Sequence, residues 1–236
     1  MKKTYVLIGN FGSGKTEISL NMAVESAKTK KTVLVDLDII NPYFRSTERR
    51  DMLAQHGIKL HSPVFAMTGV EVPSLPPDIY SVFIDDCETV IFDVGGDPAG
   101  AVALGQYKRN FDSLGHLEVL YVINAMRPFS SELALNLDML EKIAFRSRLA
   151  ITGLVNNTNL SNQSSANELL NGYDMVKSVS QAVNIPVKYT AGTPEVIEAF
   201  DAEARERKLE KEFIGEYMPI ARYMHRDWER FTESGI

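Results

Sequence analysis

The chain has a single cysteine, Cys87, among its 236 residues. A lone thiol forms no intramolecular disulfide, no all-cysteine metal site and no Cys-x-x-Cys iron–sulfur scaffold. It sits in the acidic run DDCE, where neighbouring carboxylates disfavour a thiolate and hence reactivity. Histidine is scarce as well. His56, His61, His116 and His225 stand apart, without cysteine or carboxylate company at metal-ligand spacing. Positive charge is in deficit: the net charge is −6 and the isoelectric point is near 5.3. General nucleic-acid binders show a basic domain or stripe, so that class is excluded. No stretch approaches the roughly 20 apolar residues that span a bilayer. The opening MKKTYVLIG begins as a signal peptide does, but its apolar run stops at Gly9 and no small-residue cleavage site follows, so it reads as a first strand. An acidic chain with one thiol fits a reducing cytoplasm, the expected location. Internal repeats and low-complexity tracts are absent.

What is present is ordinary for a water-soluble globular chain: 44% hydrophobic and 24% charged residues. The length suits one domain with one continuous core, expected over 1–236 with its centre at about 3–200. Short runs rich in valine and isoleucine recur at Tyr5–Ile8, Thr32–Val35, Thr89–Phe92, Leu117–Ile123, Leu149–Val155 and Pro186–Tyr189. Their lack of strict alternation marks strands buried on both faces. Segments of helical spacing lie between them: Thr16–Lys30, Ser46–His56, Ala101–Phe111, Ser131–Phe145, Asn162–Val183 and Pro194–Asp201. Strand alternating with helix predicts an α/β fold, a three-layer, doubly wound and mostly parallel sheet with helices on both faces.

The segment 61–83 breaks the rhythm with four of the ten prolines. It reads as an irregular surface connector, with a partner or lid loop as the other reading. Residues 203–234 read as C-terminal helices. In the second of them Tyr217, Ala221, Met224, Trp228 and Phe231 form one apolar stripe. Its polar face mixes Arg222, Arg226 and Arg230 with Asp227 and Glu229, whereas a membrane-surface helix is more uniformly basic. Docking on its own core or on a second subunit is expected instead.

Residues 9 to 16 read GNFGSGKT. Gly9, Gly14, Lys15 and Thr16 fit the phosphate-loop pattern G-x-x-x-x-G-K-[ST] without a mismatch, after a strand and before a helix. Glycines let the backbone wrap an anion without a Cβ clash. The N–H groups of Asn10, Phe11, Gly12, Ser13 and Gly14, with those of Lys15, Thr16 and Glu17 at the helix start, then face the phosphates, and the helix dipole adds positive potential. Lys15 is expected to bridge the outer phosphates and the Thr16 hydroxyl to hold Mg²⁺.

The second strand runs into VLVDLDIINP, where Asp36 and Asp38 share a strand face. Two carboxylates beside a phosphate seat need a cation or a proton between them. Asp38 is the candidate to place an attacking water and to reach the metal; Asp36 either supports the metal shell or caps the following turn. VIFDVGGD supplies Asp93 as the second metal station, and Gly95 and Gly96 as backbone able to approach the γ-phosphate.

GNFGSGKT, VLVDLDIINP and VIFDVGGD together resemble the Min/Par/CobQ-type (SIMIBI-class) P-loop ATPases, a branch that also holds nitrogenase iron protein and the arsenite-pump ATPase. The resemblance covers roughly residues 3 to 200. It implies ATP and Mg²⁺ as ligands, and it assigns to Asp38 the placing of water. The chain departs from that family at Asn10 and Phe11, where the family loop reads Lys-Gly-Gly and its lysine crosses to a partner's phosphates. Asparagine is uncharged and too short to replace that lysine. Arg45 or Arg49 is available to supply the charge, although with Arg50 they read better as a solvated helix face.

For the base, GLVNNTNLS holds Asn156, Asn157, Thr158 and Asn159 where guanine readers carry Asn-Lys-x-Asp. A guanine reader is a carboxylate accepting two N–H groups; the Asn159 amide mismatches one of them, at a cost of about 1–3 kcal/mol if buried. Asn156 is expected to meet adenine, with Asn157 beside it and with Thr193, Pro194 and Glu195 of the loop AGTPE touching the base through backbone groups. ATP is thus favoured over GTP.

The resulting expectation is an Mg-ATP-binding ATPase that works as a nucleotide-dependent switch or accessory factor, with slow hydrolysis and a protein partner or second subunit. Two others stand beside it. One is an ATP-dependent small-molecule kinase or ligase with substrate under loop 61–83 and Arg109 or Arg127 in a lid. The other is a non-catalytic nucleotide-binding partner protein.

Overall fold

The structure, a computed structural model, describes residues 2–37, 49–62, 78–96 and 98–224. Among them eight strands form one sheet: β1 (Lys3–Ile8), β2 (Thr32–Leu37), β3 (Lys59–His61), β4 (Thr89–Val94), β5 (Leu117–Ile123), β6 (Gly153–Asn156), β7 (Val187–Gly192) and β8 (Glu216–Pro219). The order is β3-β2-β4-β1-β5-β6-β7-β8 and every pairing is parallel. The helices are α1 (Lys15–Ala27), α2 (Arg50–Gln55), α3 (Asp78–Ile84), α4 (Pro98–Gln106), α5 (Lys108–Asp112), α6 (Leu133–Ser147), α7 (Ala166–Val183) and α8 (Pro194–Glu206).

The continuous apolar runs of the central strands have the reason expected of them: both faces of the sheet are covered. Val6, Val35, Phe92 and Tyr121 point into a cluster with Leu104 of α4, Ile143 of α6, Val176 of α7 and Phe200 of α8. Leu7, Leu34, Ile91 and Val122 point the other way, onto Ile18, Leu20 and Ala23 of α1 and Leu53 of α2. β1 lies in the middle, with β4 on one side and β5 on the other. The strand order reverses direction there, and in open α/β sheets the crevice at such a switch point takes the ligand.

Local signals set the helix starts. Ser165 accepts from Asn167 N while Glu168 reaches back to Ser165 N, a capping box that begins α7. Pro194 occupies the first turn of α8, where its missing N–H costs nothing.

Four sequence expectations change. The segment 61–83 is not wholly irregular, because α3 occupies Asp78–Ile84 and packs Ile79 and Val82 into the core; residues 63–77 lie outside the described set. The single helix expected at Ala101–Phe111 is two, α4 and α5, which meet at Tyr107. α8 stops at Glu206, so the charged stretch after it is a 3-10 turn at Lys211–Phe213. The second C-terminal helix is, as far as described, a strand: Tyr217 and Met218 pair with Thr190 and Ala191 as the sheet edge, and residues 221–224 run on without helix. Main-chain bonds to a free edge outweigh the helical spacing of the apolar residues here. Trp228 and Phe231 lie outside the described residues. Among the described residues no helix is long and apolar enough to cross a membrane.

Candidate phosphate and nucleotide site

The phosphate loop joins β1 to α1 at the switch point. Gly14, the residue before α1, has φ +90°. A side chain there would be strained, and its Cβ would lie 2.1 Å from Asn157 Nδ2. Gly96 is excluded from growth for another reason: a Cβ would lie 2.7 Å from Phe11 N, so the loop after β4 rests directly on the phosphate loop.

A cavity of about 660 Å³ opens beside the loop. Phe11, Gly12, Gly14, Lys15, Thr16 and Glu17 line it, with Gly96 and Arg127. Asn157, Thr158, Asn159, Leu169 and Thr193 continue the wall, with Ile220, Arg222 and Met224 of the C-terminal segment. A wall that joins a glycine-rich phosphate loop to apolar side chains suits a phosphorylated ligand with a flat ring.

Lys15 is buried, and its Nζ donates to Asn10 O at 3.0 Å, so the ammonium is folded across the loop. Asn10 itself turns inward. Only 2% exposed, it donates from Nδ2 to Phe129 O at 2.7 Å and to Ser130 Oγ at 3.0 Å. Its side chain is not in the cavity wall; it fastens the phosphate loop to the turn after β5. Burial also pushes the nearby Tyr121 hydroxyl above its ordinary range, keeping it protonated as a hydrogen-bond donor. Gly9 and Ser13 likewise lie behind the wall.

Asn157 holds the loop from the far side, with Nδ2 donating to Ser13 O at 2.8 Å. Its Oδ1 is buried and accepts no bond from the described residues. Asn156, expected to read the base, is sealed instead: fully buried, it donates to Leu169 O at 3.0 Å and accepts from Thr158 N at 3.2 Å. That correction follows from the pleat of β6, which points successive side chains to opposite faces. Asn159 spans its own loop, donating to Asn157 O and accepting from Ser161 N. Thr193 lines the cavity, whereas Pro194 and Glu195 do not.

Asp36 and Asp93 are both buried at matching positions of β2 and β4. Neither forms the cavity wall itself. Among the described residues no group of three or more His, Cys, Asp or Glu side chains could hold a metal ion. Thr16 lies in the wall, and a hydroxyl beside phosphate oxygens and waters is the kind of oxygen donor set that Mg²⁺ takes. Asp38 and Arg45 lie outside the described residues. Arg49 is close enough to Glu17 to act on its charge, and Arg109 on α5 is not in the cavity wall.

The C-terminal segment is the part of the site that sequence reasoning missed. Ile220 N donates to Gly192 O at 2.8 Å, and Ala221 exchanges two bonds with the Asn21 amide on α1. The Glu17 carboxylate accepts from Tyr223 N and Met224 N. Arg222 donates to Ser161 O and Asn162 Oδ1. Burial pushes the Glu17 carboxyl above its ordinary value, against the opposing pull of those two N–H donors and of Arg49 and Arg222. No spacing within the chain announces this strap, because its bonds to Glu17 and Asn21 span some 200 residues.

No family model matches the chain, and no curated protein matches it in sequence. Solved structures do resemble it. FtsY from Mycoplasma mycoides aligns with a TM-score of 0.53 at 18% identity, over 91% of this chain and 68% of that one. Chloroplast FtsY from Physcomitrella patens gives 0.55 at 18%, over 80% and 58%. The signal recognition particle 54 kDa protein from Aeropyrum pernix in complex with GDP gives 0.53 at 16%, over 86% and 46%. The chain thus spans about half to two thirds of the length of these neighbours. At such identity the likeness is one of fold, the α/β fold of P-loop NTPases.

Proposed function

We propose that the protein binds a nucleoside triphosphate with Mg²⁺ and acts as a nucleotide-dependent switch, hydrolysing its ligand slowly. The observation that carries this reading is the phosphate loop at the sheet's switch point, opening into a cavity with Lys15 and Thr16 in its wall. Lys15 and Thr16 seat phosphate and metal, Asp93 supports the metal, and Asp38 places the water. The resting of Gly96 on Phe11 supports the switch: a γ-phosphate beside them would bias where the loop after β4 sits. A protein partner or a second subunit reads the two states.

ATP is the favoured ligand. Among the described residues Glu17 is the one carboxylate in the cavity wall, and its two oxygens each hold a backbone N–H of the 220–224 strap, so pairing with guanine's two donors would compete with that hold. The GDP held by one structural neighbour makes guanine the alternative.

Labelled γ-phosphate tests the proposal. Free phosphate released from ATP with Mg²⁺ and no added metabolite is expected, and GTP should compete at least tenfold less well. Asp38→Asn should keep ATP affinity and lose turnover. Dependence on a metabolite would make the chain a kinase or ligase, and ATP recovered intact would make it a binding protein.

A further inference from the structure

Arg127 belongs to the turn after β5, and its side chain lies along the phosphate loop. Nε donates to Gly12 O at 3.3 Å, and a Cβ on Gly12 would lie 3.3 Å from Nε and 3.4 Å from Cδ. The guanidinium is exposed and lines the cavity. Among the described residues it forms no ion pair and no further hydrogen bond, so one of its five N–H groups is used and four are not.

Its backbone is fixed on every side. Arg127 N donates to Asn124 O at 3.0 Å and its carbonyl accepts from Ser130 N at 2.9 Å. Buried Asn124 accepts from Met126 N and Asn159 N through Oδ1, tying this turn to the loop after β6. Asn10 ties the same turn to the phosphate loop through Phe129 O and Ser130 Oγ. An exposed cation on a bolted backbone is placed before any ligand arrives, which spares ordering cost on binding.

Among the described residues the cavity wall carries three cations: Lys15, Arg127 and Arg222. Arg222 is committed to Ser161 O and Asn162 Oδ1. Gly96 abuts Phe11, and Arg127 covers Gly12, the next residue, so the two bracket one end of the loop.

We propose that Arg127 contacts the outermost phosphate of the bound triphosphate from within the same chain, distinguishing triphosphate from diphosphate. The inference rests on the nucleotide reading above. A planar fork donating to two phosphate oxygens suits the role, and an arginine supplied in cis is a known solution to charge at a transferring phosphoryl group.

Calorimetric titration of the full chain with ATP and with ADP, both with Mg²⁺, tests it on the parent, Arg127→Ala and Arg127→Lys. Arg127→Ala should lose at least tenfold in ATP affinity and under threefold in ADP affinity, with Arg127→Lys between the two. Unchanged ATP affinity overturns the inference; so does an equal loss for both nucleotides, which would make the residue a prop for the loop. Should the alanine variant fail to fold, Arg127→Gln removes the charge while keeping a polar chain and is read the same way. A parent chain that binds neither nucleotide overturns the proposed function, and this inference with it. A binding parent with an indifferent Arg127→Ala overturns the inference alone.

Discussion

Asp36 and Asp93 face one another across neighbouring strands, in register near the C-terminal ends of β2 and β4, each with 1% or less of its surface exposed. Parallel strands lie about 4.8 Å apart, and partners in register share a face of the sheet. A divalent cation beside carboxylates that share a sheet face favours their ionised form. Asp93→Asn is therefore expected to abolish the magnesium dependence of nucleotide stabilisation. Ligand at about 100 times its Kd adds about 2.7 kcal/mol to stability. The parent's melting shift with ATP should be larger in Mg²⁺ than in EDTA, and the variant's shifts should coincide. A variant that keeps the parent's magnesium effect would remove Asp93 from the metal shell.

Asn10 makes a different prediction. Its amide joins the phosphate loop to Phe129 and Ser130 in a buried place. Asn10→Ala strands those acceptors and is expected to cost about 1–3 kcal/mol. Urea melts without nucleotide measure this directly. Asn10→Lys should destabilise at least as much, because it forces an ammonium into the same buried position. A stable lysine variant would mean that the side chain swings outward with ease.

The Glu17 carboxyl, pushed up by burial, makes stability depend on pH. Its folded pKa lies above the unfolded one, so between the two values the native state holds more protons than the unfolded state. Stability from this group accordingly falls as pH rises from about 4.5, the ordinary glutamate value, through the raised one. Glu17→Gln loses an acceptor but cannot ionise. The difference in unfolding free energy between parent and variant should shift in the variant's favour as pH rises across that window. A difference that is flat with pH would show that the carboxyl titrates normally beneath the Tyr223 and Met224 amides.

Two sequence signals had reach. Valine and isoleucine runs gave the six central strands, since a strand buried on both faces needs apolar side chains in both directions whatever its neighbours are. GNFGSGKT gave the phosphate loop, since its chemistry is local: glycines for the bend, then a lysine and a hydroxyl at the helix start. β3 was too short to register as a run. β8 misled, because Tyr217, Ala221 and Met224 carry helical spacing while the backbone of Tyr217 is taken by the edge of β7 and those of Ala221 and Met224 by Asn21 and Glu17 of α1.

The sequence by itself determined the α/β alternation and the residues that wrap an anion, because both depend on side chains within a turn or two of one another. Tertiary structure alone decided that Asn10 faces inward, that Asn156 is sealed while Asn157 grips the loop, and that Arg127 and the 220–224 strap reach the cavity. Those outcomes turn on which strands become neighbours and on which face each residue lands; the contacts of Asn10, Asn157, Arg127 and Glu17 join positions more than a hundred residues apart, which no spacing along a chain encodes.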